Sequence, residues 1–272
     1  DLDVAIDFAR EQRLSAVELR MLGERNVIDL ETSELAEVKR KLEDAGLAVA
    51  AISTPLFKCP LPERSGAELA AGDPFRAGSA SFEDHLALVP KAVQVADFLG
   101  TDIIRVFAFL GSGSFEDVRE QIAELLARAG EALESARPGA RFSVENEHTT
   151  YVRTAAEVGA LLDDLGGPFD ILWDPGNAYY AGDRSPRLGF DLIAARVRHI
   201  HVKDPRQEGD GMRFVPLGEG EVDYPEQIRA WREAGYDGFV SLEPHIIVGQ
   251  SSVEGARACL DYLRGQGVGR EE

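Results

Sequence analysis

Short apolar runs alternate with longer stretches of helical period along the chain, and this alternation restricts the fold more than any other feature. The helical stretches carry apolar residues at three- and four-residue steps, as at Leu35, Val38 and Leu42. The short runs have the length and composition of buried strands, and there are seven of them: 16–20, 47–54, 101–109, 141–145, 170–174, 197–203 and 238–243. Repeated strand–helix units of this kind predict a parallel sheet covered by helices.

The number of repeats favours a closed barrel over an open sheet. A (β/α)8 barrel typically needs ~250 residues, and this chain has 272, of which 44% are hydrophobic. We therefore predict an α/β fold, a (β/α)8 TIM barrel formed as a single domain over residues 1–272. Because the chain opens on a helical pattern at Leu2, Ala5 and Ile6, we expect the first barrel strand to precede Asp1 and to be absent from the numbered chain. The alternative is an open doubly wound sheet, but no glycine-rich phosphate loop follows an early strand.

The charge balance and the cysteines indicate the kind of partner and compartment to expect. The 48 acidic and 29 basic side chains give a formal net charge of -19, which repels phosphate backbones and anionic lipid surfaces. We therefore expect no nucleic-acid partner and no membrane partner. Cys59 and Cys259 lie far apart and form no metal-ligand or redox motif, as is typical of chains in a reducing compartment. No apolar run approaches the ~20 residues of a membrane span and no basic-then-apolar leader opens the chain, so we expect a cytoplasmic protein.

Four of the predicted strands end on residues that commonly bind metals. In "SVENEH", "ILWDPGN", "HIHVKD" and "VSLEPH" these residues are Glu145, Asp174, His201 and Glu243. The carboxyl ends of barrel strands open onto one face, so the four side chains are expected to converge there. Three carboxylates would repel one another at low dielectric unless a cation lay between them. We therefore predict a site for one divalent metal ion, and its oxygen-rich donors favour Mn²⁺, Mg²⁺ or Co²⁺ over Zn²⁺.

The run "VRHIHVKD" puts two histidines and a lysine on one face of its strand. His201 lies nearer the carboxyl end than His199, so we predict that His201 is the ligand and that His199 is a hydrogen-bonded residue one layer deeper. Lys203 lies nearer still to the barrel mouth. It is predicted either to neutralise a substrate oxyanion or phosphate, or to form a salt bridge with Asp204 or a neighbouring acidic loop.

Other polar residues near the strand ends are candidates for contacting a substrate. Arg105 interrupts an apolar strand, and the alternative to a substrate contact is a pair with a buried glutamate such as Glu18. The predicted substrate-binding set is Lys58, Arg105, Asn177, Lys203, Arg206 and His245.

The motifs "ENEH", "DPGN", "HVKD", "GEGEVDY" and "SLEPH" occur in an order and spacing that resemble the xylose isomerase-like TIM barrel superfamily. The resemblance is strongest to its sugar phosphate isomerase/epimerase members, and the superfamily also contains the inosose dehydratases and the type IV apurinic endonucleases (AP endonuclease family 2). It implies a metal-dependent isomerase or epimerase of carbohydrate metabolism. Glu145 and Glu243 would then be metal ligands as well as the catalytic pair that moves a proton, while the metal, for example manganese, stabilises the enediolate.

One departure from the epimerase pattern leaves the reaction open. The epimerases carry a histidine three residues after the aspartate ligand, where this chain has Asn177. The alternative is a dehydratase that eliminates water from a polyol ketone of the inosose type on the same metal site. The net charge argues against a metal-dependent phosphodiesterase, and the four ligand positions argue against a binding protein without catalysis. The substrate and its phosphorylation, the native metal and the oligomeric state stay open.

Overall fold

The computed structural model describes residues 1–62, 81–209, 211–243 and 252–269. Its strands are β1 Ala16–Leu19, β2 Met21–Leu22, β3 Arg25–Asn26, β4 Ala48–Ser53, β5 Ile104–Val106, β6 Phe142–Glu145, β7 Phe169–Trp173, β8 Val197–Val202, β9 Asp204–Glu208, β10 Gly211–Val215 and β11 Val240–Leu242. Its α-helices are α1 Leu2–Glu11, α2 Thr32–Asp44, α3 Phe82–Ala87, α4 Val89–Leu99, α5 Arg119–Ala136, α6 Ala155–Leu165, α7 Pro175–Tyr180, α8 Tyr224–Glu233 and α9 Ser252–Gly265.

Seven strands form one sheet in the order β1-β4-β5-β6-β7-β8-β11. The strand pairs β1–β4, β4–β5, β5–β6, β7–β8 and β8–β11 are all parallel. These strands coincide with the seven predicted apolar runs, and each lies beside the next one along the chain. This is the connectivity that repeated βα units produce. The strand expected before Asp1 stays a prediction.

Residue contacts divide the chain into two compact units, and the expected single domain over residues 1–272 stays a prediction. The first unit comprises Asp1–Glu145, Thr149–Val152 and Ala160–Asp170. The second unit comprises Asn146–His148, Arg153–Gly159 and Ile171–Glu272.

Within the first unit, parallel strands are covered by helices with one apolar face. Helix α4 contacts β4 and β5 and also packs on α5. On α5, Ile122, Leu126 and Ala129 are fully buried, at the three- and four-residue spacing that places side chains on one face. Helix α4 ends at Gly100, whose φ of 78° is left-handed, a conformation that glycine adopts without a steric penalty. The chain is thereby turned directly into the approach to β5.

Within the second unit, β8 and β11 pair so that Ile200 lies opposite Val240 and His201 opposite Ser241. Helix α8 is N-capped by Asp223, whose side chain accepts the N–H of Glu226 at 3.1 Å. The antiparallel pair β9–β10 was not predicted from the sequence. Its first strand reads "DPRQE", a polar segment with neither an alternating apolar pattern nor a β-branched residue, so nothing in its composition indicates a strand.

None of the helices in the described part of the chain combines the length and the apolar character that a membrane crossing requires.

A buried histidine fixes the loop that follows β4. His85 on α3 is 3% exposed, and its Nδ1 accepts the backbone N–H of Phe57 at 2.6 Å. Phe57 has a φ of 62°, which is unusual for a residue with a side chain, so this hydrogen bond helps to hold a strained turn. Burial lowers the pKa of His85 to about 4, although Asp84 opposes the shift, and the ring is therefore neutral near pH 7.

We expect His85 to make the fold sensitive to acid. The pKa of His85 in the folded protein is about 4, below the ordinary value of 6.5. Between these two pH values the histidine is protonated in the unfolded chain but not in the folded chain. The free energy of unfolding therefore decreases as the pH falls from 6.5 towards 4. Over this pH range, His85 lowers the free energy of unfolding by ~3 kcal/mol. His85→Gln keeps an acceptor that does not titrate. Chemical denaturation at several pH values should show a smaller acid loss for His85→Gln than for the wild type, whereas parallel curves would contradict the assignment.

Candidate metal centre

Three of the predicted ligands lie together in the second unit, each at the carboxyl end of a strand. Asp174 directly follows β7, His201 is the penultimate residue of β8, and Glu243 directly follows β11. Each offers one ligand atom, and these atoms lie within 4.8 Å of one another. Asp174 is completely buried, His201 is 2% exposed, and the side chain of Glu243 is 15% exposed. Two carboxylates and an imidazole that lie this close together and are this well shielded from solvent are suited to holding a cation.

The "DPGN" motif explains how Asp174 is positioned. Its Oδ1 accepts the N–H of Asn177 at 2.8 Å and so caps helix α7, with Pro175 at the first helical position. Its Oδ2 points instead to Lys203 Nζ, 3.0 Å away. A Cβ added to Gly176 would lie 2.3 Å from the Lys203 carbonyl oxygen, so only glycine lets the two backbones approach. One oxygen of Asp174 therefore orients the side chain and the other is directed at the site.

Lys203 is 4% exposed, and its ammonium bridges two of the candidate ligands. Its Nζ lies 3.0 Å from Asp174 Oδ2 and 2.6 Å from Glu243 Oε2. Lys203 therefore forms salt bridges with these two residues, whereas the sequence had suggested Asp204 or a neighbouring acidic loop as the partner. The reason is that the Asp204 carboxylate is directed at a loop of backbone N–H groups. A contact between Lys203 and substrate stays a prediction.

Asp204 organises the "GEGEVDY" motif. Its Oδ2 accepts the N–H groups of Gly218 and Gly220 at 2.9 and 3.0 Å, and its Oδ1 accepts that of Val222 at 3.1 Å. Burial raises the pKa of Asp204 to about 6, while these hydrogen bonds favour the charged form and limit the rise. The loop leads to Tyr224, whose hydroxyl donates to the Lys203 carbonyl at 2.7 Å and accepts the Lys203 N–H at 3.0 Å. The motif therefore fixes the backbone of Lys203.

In the first unit, Glu145 ends β6 and is 1% exposed. Its Oε2 lies 3.1 Å from Nη1 of Arg105, which is also buried and projects from the neighbouring strand β5. The alternative to a substrate contact was a pair with a buried glutamate such as Glu18, and Arg105 forms a pair of this kind with Glu145. Glu18 accepts the hydroxyl of Ser53 instead. Arg105 pairs with Glu145 because Arg105 and Ser143 are aligned in the β5–β6 register, two residues before Glu145 on the same face.

Two further predicted substrate contacts, Lys58 and Arg206, belong to different compact units. Lys58 lies in the loop after β4 with its Nζ 4.7 Å from the centroid of the Phe107 ring. Arg206 is on β9, and its Nη1 donates to the Glu219 carbonyl at 3.3 Å. His245 lies outside the described residues. His199 is fully buried, and its Nε2 is 2.9 Å from the Ser241 hydroxyl, which agrees with the hydrogen-bonded residue expected one layer below His201.

A histidine that the sequence did not single out lies in the loop after β6. The Nδ1 atom of His148 is 2.8 Å from Glu147 Oε1 and 2.8 Å from Asn177 Oδ1. The Asn177 amide donates through its Nδ2 to the Asn146 carbonyl, so its Oδ1 faces His148 as an acceptor and Nδ1 carries the hydrogen. Burial alone would lower the pKa of His148, but Glu147 and Asn177 raise it above its usual value. The adjacent glutamate and histidine in "ENEH" were the sequence feature from which this pair could have been predicted.

Known proteins similar to parts of this chain include a dehydratase and an epimerase. An inosose dehydratase of Lacticaseibacillus casei is 29% identical over 146 residues, which cover 47% of this chain and 47% of that protein. A putative L-ribulose-5-phosphate 3-epimerase, SgbU, of Escherichia coli K12 is 30% identical over 169 residues, covering 57% of this chain and 56% of that protein. The chain therefore matches only about half the length of these relatives, and both of them are named as enzymes.

Solved structures share the fold over almost the whole chain. A xylose isomerase-like TIM barrel protein from Mycobacterium smegmatis in complex with magnesium has a TM-score of 0.65 at 19% identity, covering 98% of this chain and 90% of that chain. The IOLI protein with a binding zinc atom has a TM-score of 0.72 at 12% identity, covering 98% and 92%. At such identities the likeness establishes the fold alone, and it confirms the predicted α/β barrel. The family model described as xylose isomerase-like TIM barrel matches residues 6–266, and the chain therefore belongs to this family, as its motifs predicted.

Proposed function

We propose that this chain is a divalent-metal-dependent isomerase or epimerase that removes a proton beside the carbonyl of a small sugar or sugar phosphate and returns it. The observation that carries the proposal is the convergence of Asp174, His201 and Glu243 at buried strand ends. Glu145 is proposed as the fourth ligand, because it is a buried carboxylate that ends β6 and because it matches the "ENEH" motif of the family.

The charges of the named groups fit a divalent ion. Three carboxylates, Glu145, Asp174 and Glu243, carry three negative charges, and the paired cations Arg105 and Lys203 carry two positive ones. The balance is one negative charge. A divalent ion would turn this into one positive charge, which matches the single negative charge that develops on a substrate when a carbon-bound proton is removed. The magnesium and the zinc of the two structural neighbours support a divalent ion, and the oxygen-rich donor set favours Mn²⁺, Mg²⁺ or Co²⁺.

The residues divide the chemistry as follows. When bound, the ion would supply Lewis-acid polarisation of the substrate carbonyl. One of the two glutamates, Glu145 or Glu243, takes the proton from the carbon beside the carbonyl and leaves an enediolate. The other glutamate returns a proton, either to the opposite face of the same carbon, which gives an epimer, or to the adjacent carbon, which gives an isomer. The Lys203 ammonium, held beside Glu243, neutralises developing charge on a substrate oxygen.

The Glu147–His148 pair favours dehydration as the second candidate. In an elimination, a glutamate takes the carbon-bound proton, the carbon–oxygen bond at the next carbon breaks, and the leaving hydroxyl needs a proton to depart as water. His148 can supply that proton, since Glu147 and Asn177 raise its pKa and hold its ring. Asn177 in place of the epimerase histidine and the similarity to an inosose dehydratase also support this candidate.

Incubation in D₂O with a panel of ketoses, aldoses and inososes separates the two reactions. An isomerase or epimerase yields an isomer with deuterium bound to carbon, whereas a dehydratase yields a product lighter by one water. Mass spectrometry and proton NMR distinguish them in one sample. A metal-loaded protein that gives neither an isomer nor a dehydrated product from any member of the panel would contradict both candidates.

Glu145→Gln and Glu243→Gln should each separate catalysis from metal binding. Glutamine keeps the size and one coordinating oxygen but accepts no proton, so turnover should fall by about 10²- to 10⁴-fold while bound metal stays near one ion per chain. Steady-state kinetics and elemental analysis measure the two quantities. Asp174→Asn and His201→Ala are the matched controls, and they should lose metal and activity together because neither residue is assigned a proton transfer. Full activity in Glu243→Gln would remove the two-glutamate mechanism.

Lys203→Met should also separate catalysis from metal binding, but in a different way. The substitution removes the ammonium that lies 3.0 Å from Asp174 and 2.6 Å from Glu243, so the site becomes more negative and should bind Mn²⁺ at least as tightly as the wild type. Activity should fall by at least about tenfold. Calorimetry and thermal melts with and without Mn²⁺ measure the binding. Lys41→Met removes the same charge from a pair with Asp3 on a helix surface and should change neither quantity. Weaker Mn²⁺ binding in Lys203→Met alone would contradict this role.

A further inference from the structure

Asn146, in the second unit, is completely buried and binds the backbone of Asp174 through both ends of its side-chain amide. Its Oδ1 accepts the Asp174 N–H at 2.7 Å, and its Nδ2 donates to the Asp174 carbonyl at 2.8 Å. The same Nδ2 also donates to the Arg153 carbonyl at 3.0 Å. Because an N–H can only donate and a carbonyl can only accept, these partners determine which end of the amide is oxygen and which is nitrogen.

Asn177 makes the reciprocal contact. It is also completely buried, and its Nδ2 donates to the Asn146 carbonyl at 2.9 Å. The side chain of Asn146 thus binds the backbone of the "DPGN" turn, and the side chain of Asn177 binds the backbone of the "ENEH" loop. These hydrogen bonds join segments that lie 28 residues apart in the sequence. The turn that carries Asp174 is therefore held on the loop after β6.

The backbone of Asp174 determines where its carboxylate points. The side chain has only two torsion angles, and one of its oxygens already caps helix α7 by accepting the Asn177 N–H. The other oxygen is directed at the site, where Lys203 Nζ lies 3.0 Å away. A shift of the Asp174 backbone would therefore carry this oxygen away from the other candidate ligands. Residues that orient a metal ligand in this way typically contribute 10- to 100-fold to metal affinity or activity.

We propose that Asn146 is a positioning residue of the candidate metal centre, which holds the backbone of Asp174 so that its carboxylate faces the other ligands. This inference rests on the proposed function, because it takes Asp174 to be a metal ligand. Asn146 is assigned no contact with the ion or the substrate, since it is completely buried and both ends of its amide bind backbone groups. Its removal would take one partner away from each of three backbone groups.

The first unit offers a matched control in Asn26. This asparagine is 8% exposed, and its amide also binds backbone groups at both ends: Nδ2 donates to the Ser53 carbonyl at 3.0 Å and Oδ1 accepts the Ile28 N–H at 3.2 Å. Replacing either asparagine with alanine removes hydrogen bonds from buried backbone groups, so both variants should have a lower Tm than the wild type. Of the two, only Asn146 binds the backbone of a proposed ligand.

Calorimetry with Mn²⁺ on the full chain tests the proposal. Asn146→Ala should bind Mn²⁺ at least about tenfold more weakly than the wild type, whereas Asn26→Ala should bind it with unchanged affinity. Thermal melts without metal should show the lower Tm in both variants. Equal Mn²⁺ affinity in Asn146→Ala and the wild type, or equal weakening in the two asparagine variants, would overturn the inference.

The Glu145→Gln background separates an effect through Asp174 from an effect through Glu145, the residue before Asn146. Glu145→Gln is expected to keep its metal. Adding Asn146→Ala should weaken Mn²⁺ binding there by the same factor as in the wild type, because changes at residues that do not interact are additive. A loss that disappears in the Glu145→Gln background would assign the effect to Glu145 and overturn the proposed role.

Asn146→Ser serves if Asn146→Ala does not fold, as judged by circular dichroism. Its short hydroxyl cannot bind three backbone groups at once, so the same weakening of Mn²⁺ binding is expected. Failure of the proposed function has a different signature, since the wild type itself would then bind no divalent ion. That result would overturn the inference together with the proposed function, whereas a wild type and an Asn146 variant that bind Mn²⁺ equally would overturn the inference alone.

Discussion

Burying several carboxylates at neighbouring strand ends is the constraint on which the described site depends. Removing a carboxylate from water costs several kcal/mol unless a cation or hydrogen bonds replace the lost solvation. Asp174 and Glu243 obtain that compensation from the ammonium of Lys203, and Glu145 obtains it from Arg105. A divalent ion is the further partner that such a set of donors can hold. The chemistry proposed for the chain follows from this balance, since the same carboxylates that would hold the ion are those that would move the proton.

Much of the surrounding structure serves to position Lys203. Asp204 gathers the backbone N–H groups of the loop 218–222, and this loop delivers Tyr224, which exchanges two hydrogen bonds with the Lys203 backbone. Gly176 allows the "DPGN" turn to approach the Lys203 carbonyl from the other side. Motifs separated by some forty residues thus hold the backbone of a single residue. This explains in physical terms why "DPGN", "HVKD" and "GEGEVDY" occur together in one chain.

Local sequence patterns predicted the strands well and the side-chain partners poorly. The seven sheet strands could be predicted because each is a short apolar run bounded by turns, and the residues that stop those runs could be named as candidate ligands for the same reason. The pair of Arg105 with Glu145 and the hydrogen bonds of His148 could not be predicted, since they depend on strand register and loop course, which periodicity does not encode. The β9–β10 pair was missed for a related reason, because its polar residues carry no strand signal.

We propose that Glu145, Asp174, His201 and Glu243 hold one divalent ion. A crystal structure grown with Mn²⁺, with anomalous data collected near the manganese absorption edge, tests it most directly. The account predicts one strong anomalous peak, with a carboxylate oxygen or ring nitrogen of each residue within about 2.0 to 2.4 Å. No peak at saturating Mn²⁺, or a peak bound by His199 in place of His201, would contradict it.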